Sequence, residues 1–125
     1  MKSLVDRFSI GRFTAWLADA VGWSPVGKVL ELHGAEGPYA DLFNGTIGTV
    51  LSLEDGVVVL QPYGSCPAVK AGIPRLRLTP RHGGWTPHSL MLSSIAVVVE
   101  APSSDGRVGP VTIAIARIVR PAGPG

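Results

Sequence analysis

The chain has 125 residues, with 11 Lys and Arg against 9 Asp and Glu and a net charge of +2. At that length one domain buries roughly two-thirds of the surface its unfolded chain exposes, so neither a metal nor a disulfide staple is required. The single cysteine, Cys66, excludes an intramolecular disulfide and a multi-cysteine zinc site. With 46% apolar residues the chain is not disordered throughout, and it holds no run of 18 apolar residues that predicts a membrane-spanning helix. Asp6 and Arg7 interrupt the start MKSLVDRFSIGRF, which lacks the ordered regions of a cleavable leader, so the expected location is cytoplasmic.

Charged residues make up only 16% of the chain, against an average of about 25%. A small domain has a high ratio of surface to volume, and that surface ordinarily carries a quarter or more of charged positions. The deficit predicts that part of the exterior is covered in the working state by a second copy or another protein, since association surfaces are depleted in charge. The alternative is a Gly- and Pro-rich β protein with a neutral surface, consistent with 16 Gly and 11 Pro.

Residues 1–22 read as a helical lead-in. A helix from about Arg12 to Val21, capped by Ser9 or Gly11, places Phe13, Trp16, Leu17 and Ala20 on one face. Gly22 supplies the stop and Pro25 forbids continuation. The face with Phe13 and Trp16 is expected to pack on a barrel or close one end of it, and it is one half of a candidate assembly surface.

From Val26 the period changes to two, and residues 26–119 read as a β-barrel. In VGKVLELHG, Leu30 and Leu32 fall on one side, with Val29, Glu31 and His33 on the other. AEGPYADLFNG reads as a loop. GTIGTVLSLEDGVVVLQP reads as two strands meeting at Asp55-Gly56, because both central residues of a type I′ turn need positive φ. Residues 61–88 contain five prolines and four glycines, which argues for a long loop with at most a short edge strand at Pro74–Leu78. The run from Leu90 to Ala101 is nearly all apolar, as in a strand covered on both faces. In VTIAIARIVRP, Val111, Ile113, Ile115 and Val119 share one face, and Thr112, Ala114, Ala116 and Ile118 share the other. The small Ala114 and Ala116 let another surface approach closely and form the second half of the candidate assembly surface. The tail 120–125 is disordered by composition. The expected fold is a single mainly β domain, an N-terminal helix followed by a small SH3-like or Sm-like antiparallel barrel of five to six strands.

VLELHG (Val29–Gly34), GTIGTVLSLEDG (Gly45–Gly56), VVVLQ (Val57–Gln61) and the closing HSLMLSSIAVVVEAP (His88–Pro102) occur in an order that resembles the Sm-like family of SH3-like barrels. That resemblance implies an SH3-like barrel and RNA binding. Pro87 stands where the family carries a basic residue beside its closing His, the first loop is longer, and Val111–Val119 adds a strand beyond the family's end.

The cluster with chemical character is Lys70, Arg75, Arg77, Arg81, His82, Trp85 and His88, while the acids gather at Glu31, Glu36, Asp41, Glu54 and Asp55. Cations neutralise phosphates and an aromatic ring stacks on an unpaired base, which predicts contact with single-stranded RNA or DNA. The same residues also suit an acidic protein partner, or an edge strand that its arginines keep from aggregating. Cys66 with His82 or His88 would be a thiol nucleophile and base, but Pro67 follows directly and no catalytic signature surrounds it. His82 and His88 lack a neighbouring acid that would complete a metal shell, and neither phosphate-loop pattern is present. No cofactor and no metal are therefore expected. The expectation is a non-enzymatic binding module that self-assembles or docks in a larger complex. Its alternatives are a structural or adaptor subunit of an assembly such as a phage particle, hence located in a virion, and an inhibitor or immunity-type protein acting by occlusion.

Overall fold

The Asp55-Gly56 pair makes the turn its chemistry predicts, with φ of 53° at Asp55 and 77° at Gly56. It joins β2 (Ile47–Glu54) to β3 (Val57–Pro62), with Glu54 opposite Val57. A bulge between Val50 and Ser52 shifts the register, so Leu51 is the extra residue and is left exposed. At Gly48 the strands cross so closely that an added Cβ would stand 2.5 Å from the Gln61 carbonyl oxygen, so only glycine fits.

The computed structural model describes residues 23–92, 94–102 and 112–119. The expected lead-in helix with Phe13 and Trp16, and the tail 120–125, lie outside them. Within them, β1 (Val29–His33), β2, β3, β4 (Leu76–Pro80), β5 (Ile95–Glu100) and β6 (Thr112–Ile118) form a closed antiparallel barrel in chain order. β1 pairs with β6 to complete the circle, Leu32 opposite Ala116 and His33 opposite Ile115. Closure leaves no sheet edge.

The strands alternate, β2 only up to its bulge. Leu30, Leu32, Val58, Leu60, Leu76, Leu78, Val97 and Val99 are fully buried inside, each burial contributing roughly 1.5–3 kcal/mol. Six strands enclose less room than the eight that leave an interior just wide enough for side chains. Ala114 and Ala116 face that interior and are completely buried. They are small because the facing leucines take the space, so they are not an assembly surface. The face of β6 that points outward carries Ile113 and Ile115.

Two further expectations are corrected. β4 is a full member of the barrel, paired with β3 at Leu60–Leu76 and with β5 at Leu78–Val99, and not an edge strand. Its prolines stand outside the ladder's middle, Pro74 before the strand and Pro80 at its last position. The apolar run from Leu90 also divides, into a π-helix at His88–Leu92 and β5, whose burial alternates rather than being complete on both faces.

The connections cap the two ends. At the helical end, residues 34–46 form a 3-10 turn (Gly37–Tyr39) and α1 (Ala40–Phe43), and residues 63–75 hold α2 (Pro67–Lys70). Phe43 and Ala68 are buried there. Asn44 locks the first connection, accepting from the Ala35 N–H at 2.7 Å and donating to its carbonyl at 3.1 Å. Thr46 Oγ1, wholly buried, accepts from the Ala68 N–H and donates to the Leu42 carbonyl. At the opposite end, that of the Asp55-Gly56 turn, Trp85 and Leu90 from the β4–β5 connection are buried.

Candidate functional site

The barrel divides the basic cluster in two. Lys70 ends α2 and Arg75 precedes β4, both exposed at the helical end. Arg81, His82 and His88 follow β4 and are exposed towards the turn end. Arg77 lies between them on the outer face of β4, paired in register with Glu100, whose Oε2 is 3.9 Å from its Nε. That separation is an ion pair without a hydrogen bond. Arg75 and Arg77 do share a side: both line a shallow groove of about 290 Å³ with Val59, Glu100, Ala101 and Pro102.

Trp85 does not join them. It is 9% exposed, and its Nε1–H donates to the Gly56 carbonyl at 2.9 Å. The ring therefore covers the barrel's turn end and fixes the hairpin to the β4–β5 connection, and its faces are not offered to a base. The exposed aromatic near the cations is Tyr63, 43% accessible, which follows β3 in the segment that also carries Lys70 and Arg75. A Gly- and Pro-rich setting gives no sequence signal that separates an anchoring tryptophan from a stacking one, so Tyr63 was not distinguishable as the accessible ring.

Cys66 is buried at the helical end, its Sγ 3.8 Å from the Ile47 carbonyl oxygen. His82 and His88 belong to the connection at the other end, so the structure does not bring the Cys66 thiol together with either of them. Among the described residues no group of three or more His, Cys, Asp or Glu is placed to hold a metal ion. No helix among them is long and apolar enough to cross a membrane.

No protein-family model, curated protein or solved structure matches the chain. Its function must be read from its own surface.

That surface has an unusual distribution. The outward positions of β4 are Arg77 and Thr79, but those around them are mostly apolar: Val57 and Val59 on β3, Ala96 and Val98 on β5, Ile113 and Ile115 on β6. Ile113 is 42% exposed. It stands opposite Val98, and Ile115 stands opposite Ala96, so the four form one continuous patch. The few outward charges on these strands pair laterally, as in Arg117 with Glu31 at 3.1 Å across β6 and β1. On the outer wall of β5 and β6 the uncharged Ala96, Val98, Ile113 and Ile115 thus adjoin one another, with Glu100 and Arg117 at the margins.

Proposed function

We propose that the chain is a non-enzymatic assembly module, a rigid barrel that self-associates or docks as a structural or adaptor subunit through its outer wall. The observation that carries this is Ile113, exposed on the outer wall and flanked by half-buried Val98 and Ile115, on a sheet whose interior is already filled. A patch of branched apolar side chains in water is unfavourable by about 25 cal/mol for each Å² exposed, and contact with another surface removes that cost. Closure supports the same reading, because a barrel without an edge cannot recruit a partner by adding a strand and must use side-chain faces. The native mass of the purified full chain at two concentrations tests the proposal. A mass above one chain, or a stoichiometric companion protein, is expected. A monomer at both concentrations that retains no companion would overturn it.

A second reading rests on a separate observation: Lys70 and Arg75 have no carboxylate partner among the described residues and lie in the segment of the exposed Tyr63. We propose there a weak contact for single-stranded RNA or DNA, cations on the phosphates and the phenol on a base. The resemblance of Val29–Gln61 to the Sm-like family favours it. Loss of Trp85 as a stacking platform counts against it. Fluorescence anisotropy of a labelled oligonucleotide over a salt series decides the matter. Salt-dependent binding that weakens in Arg75→Ala sustains this reading, and salt-insensitive or absent binding removes it.

A further inference from the structure

Beside β6 runs a groove of about 400 Å³ lined by Gly34, Glu36, Arg81, Thr112 and Ile113. At one side Gly34, with φ of 72°, lies against Ile115, and a Cβ there would stand 3.0 Å from Ile115 Cγ1. Ile113, the apolar member, is exposed. The two charged members have opposite sign, are both exposed and do not pair with each other or with any other described residue.

We infer that this groove is a two-fold interface between two copies of the chain, with Ile113 at the axis and Arg81 of each copy against Glu36 of the other. The inference rests on the assembly reading and names its partner and its face. A two-fold operation brings one patch against itself, so it requires each charged feature to have its complement on the same patch. A groove with one cation, one anion and an apolar centre meets that requirement, whereas a groove of single sign would repel its own copy. The exposed Ile113 supplies the apolar centre that interfaces place inside a polar rim. The opposite-sign rim fixes the register of the two copies. The groove on the other side of β5, with Arg75 and Arg77 facing only Glu100, does not have this balance.

Charge reversal in the full chain tests it, with dissociation read by sedimentation velocity across a dilution series. Ile113→Glu, Arg81→Glu and Glu36→Arg are each expected to weaken the dimer by at least about tenfold, since each places like charges or a desolvated carboxylate at the contact. The decisive sample is an equimolar mixture of the Arg81→Glu chain and the Glu36→Arg chain. Each alone faces like charge in both cross-contacts, but the mixture makes both contacts opposite in sign and is expected to restore the dimer. An intrachain role for the two residues would give no such recovery. Circular dichroism of each variant separates loss of contact from loss of fold, and the charge pair carries the test if Ile113→Glu does not fold. A wild-type dimer indifferent to all three substitutions would overturn this interface while leaving the assembly reading intact. A wild-type chain that is monomeric and companionless overturns both.

Discussion

β4 and β6 occupy comparable places in the barrel, each paired on both sides, yet they spend their apolar residues in opposite directions. β4 turns Leu76 and Leu78 inward and Arg77 and Thr79 outward. β6 turns Thr112, Ala114 and Ala116 inward and Ile113 and Ile115 outward. The interior accounts for every large apolar side chain on β4, so nothing about that strand needs a partner molecule. On β6, Ile118 packs against the core, but Ile113 and Ile115 point away from it. Their conformational stiffness suits a strand, but so would threonine, which water tolerates better. The difference is what the proposed assembly role rests on: both strands help close the barrel, and only β6 turns large branched apolar side chains outward.

The strongest way to break this contrast is to cut into β4's inward face. Leu78→Ala should cost about 2–5 kcal/mol, the loss of a buried side chain plus the cavity left behind. Urea unfolding should show a lower midpoint at unchanged slope. The next effect comes from the other strand and has the opposite chemistry. Ala114→Leu adds bulk where the facing leucines already fill the interior, and should destabilise by about 1–3 kcal/mol. An unchanged melting temperature would mean that Ala114 does not face inward, and the assignment of the two faces of β6 would fall with it.

The third substitution isolates presentation from stability. Ile113→Thr keeps the branched side chain a strand favours and removes part of the apolar patch. In dilute solution, where the chain stands alone, its unfolding free energy should stay within about 0.5 kcal/mol of the native value. A larger loss measured by urea denaturation would show that Ile113 packs against its own chain, and the patch would no longer need an external partner.

What the sequence reveals follows the range of the interaction responsible. The Asp55-Gly56 hairpin was legible because two adjacent residues determine it. The inward set of β1, Leu30 and Leu32, was legible because alternation with Glu31 and His33 has period two. β4 was not, because five prolines in residues 61–88 suggested a broken segment, and only pairing with β3 and β5 shows that they fall at strand ends. The connection 34–46 reads in the sequence as plain loop, since the tie between Asn44 and Ala35 spans nine positions and has no periodicity. On β6 the alternation itself was visible, but which face is inside depends on the width of the barrel, a property of six strands together. The basic cluster failed similarly: its members are near in sequence, and β4's length sends Lys70 and Arg75 to one end and Arg81, His82 and His88 towards the other.

The smallest expected effect sharpens the same comparison on the outward charges. Both strands carry an outward arginine opposite a glutamate of a neighbouring strand. On β6, Arg117 Nη2 donates to Glu31 Oε1 at 3.1 Å, while on β4 the Arg77 contact is 3.9 Å and lacks hydrogen-bond geometry. The arginine side chains are 53% and 57% exposed respectively, so water screens both pairs. Arg117→Ala should therefore cost at most about 0.5 kcal/mol at low ionic strength, and Arg77→Ala should have no measurable cost. A double-mutant cycle of Arg117 with Glu31 should return a coupling that shrinks as salt is added, and the cycle of Arg77 with Glu100 should return none at any salt. Equal couplings would mean that β4's arginine is tied down as firmly as β6's. It would then be no freer to meet a phosphate, which would weaken the nucleic-acid reading without touching the assembly one.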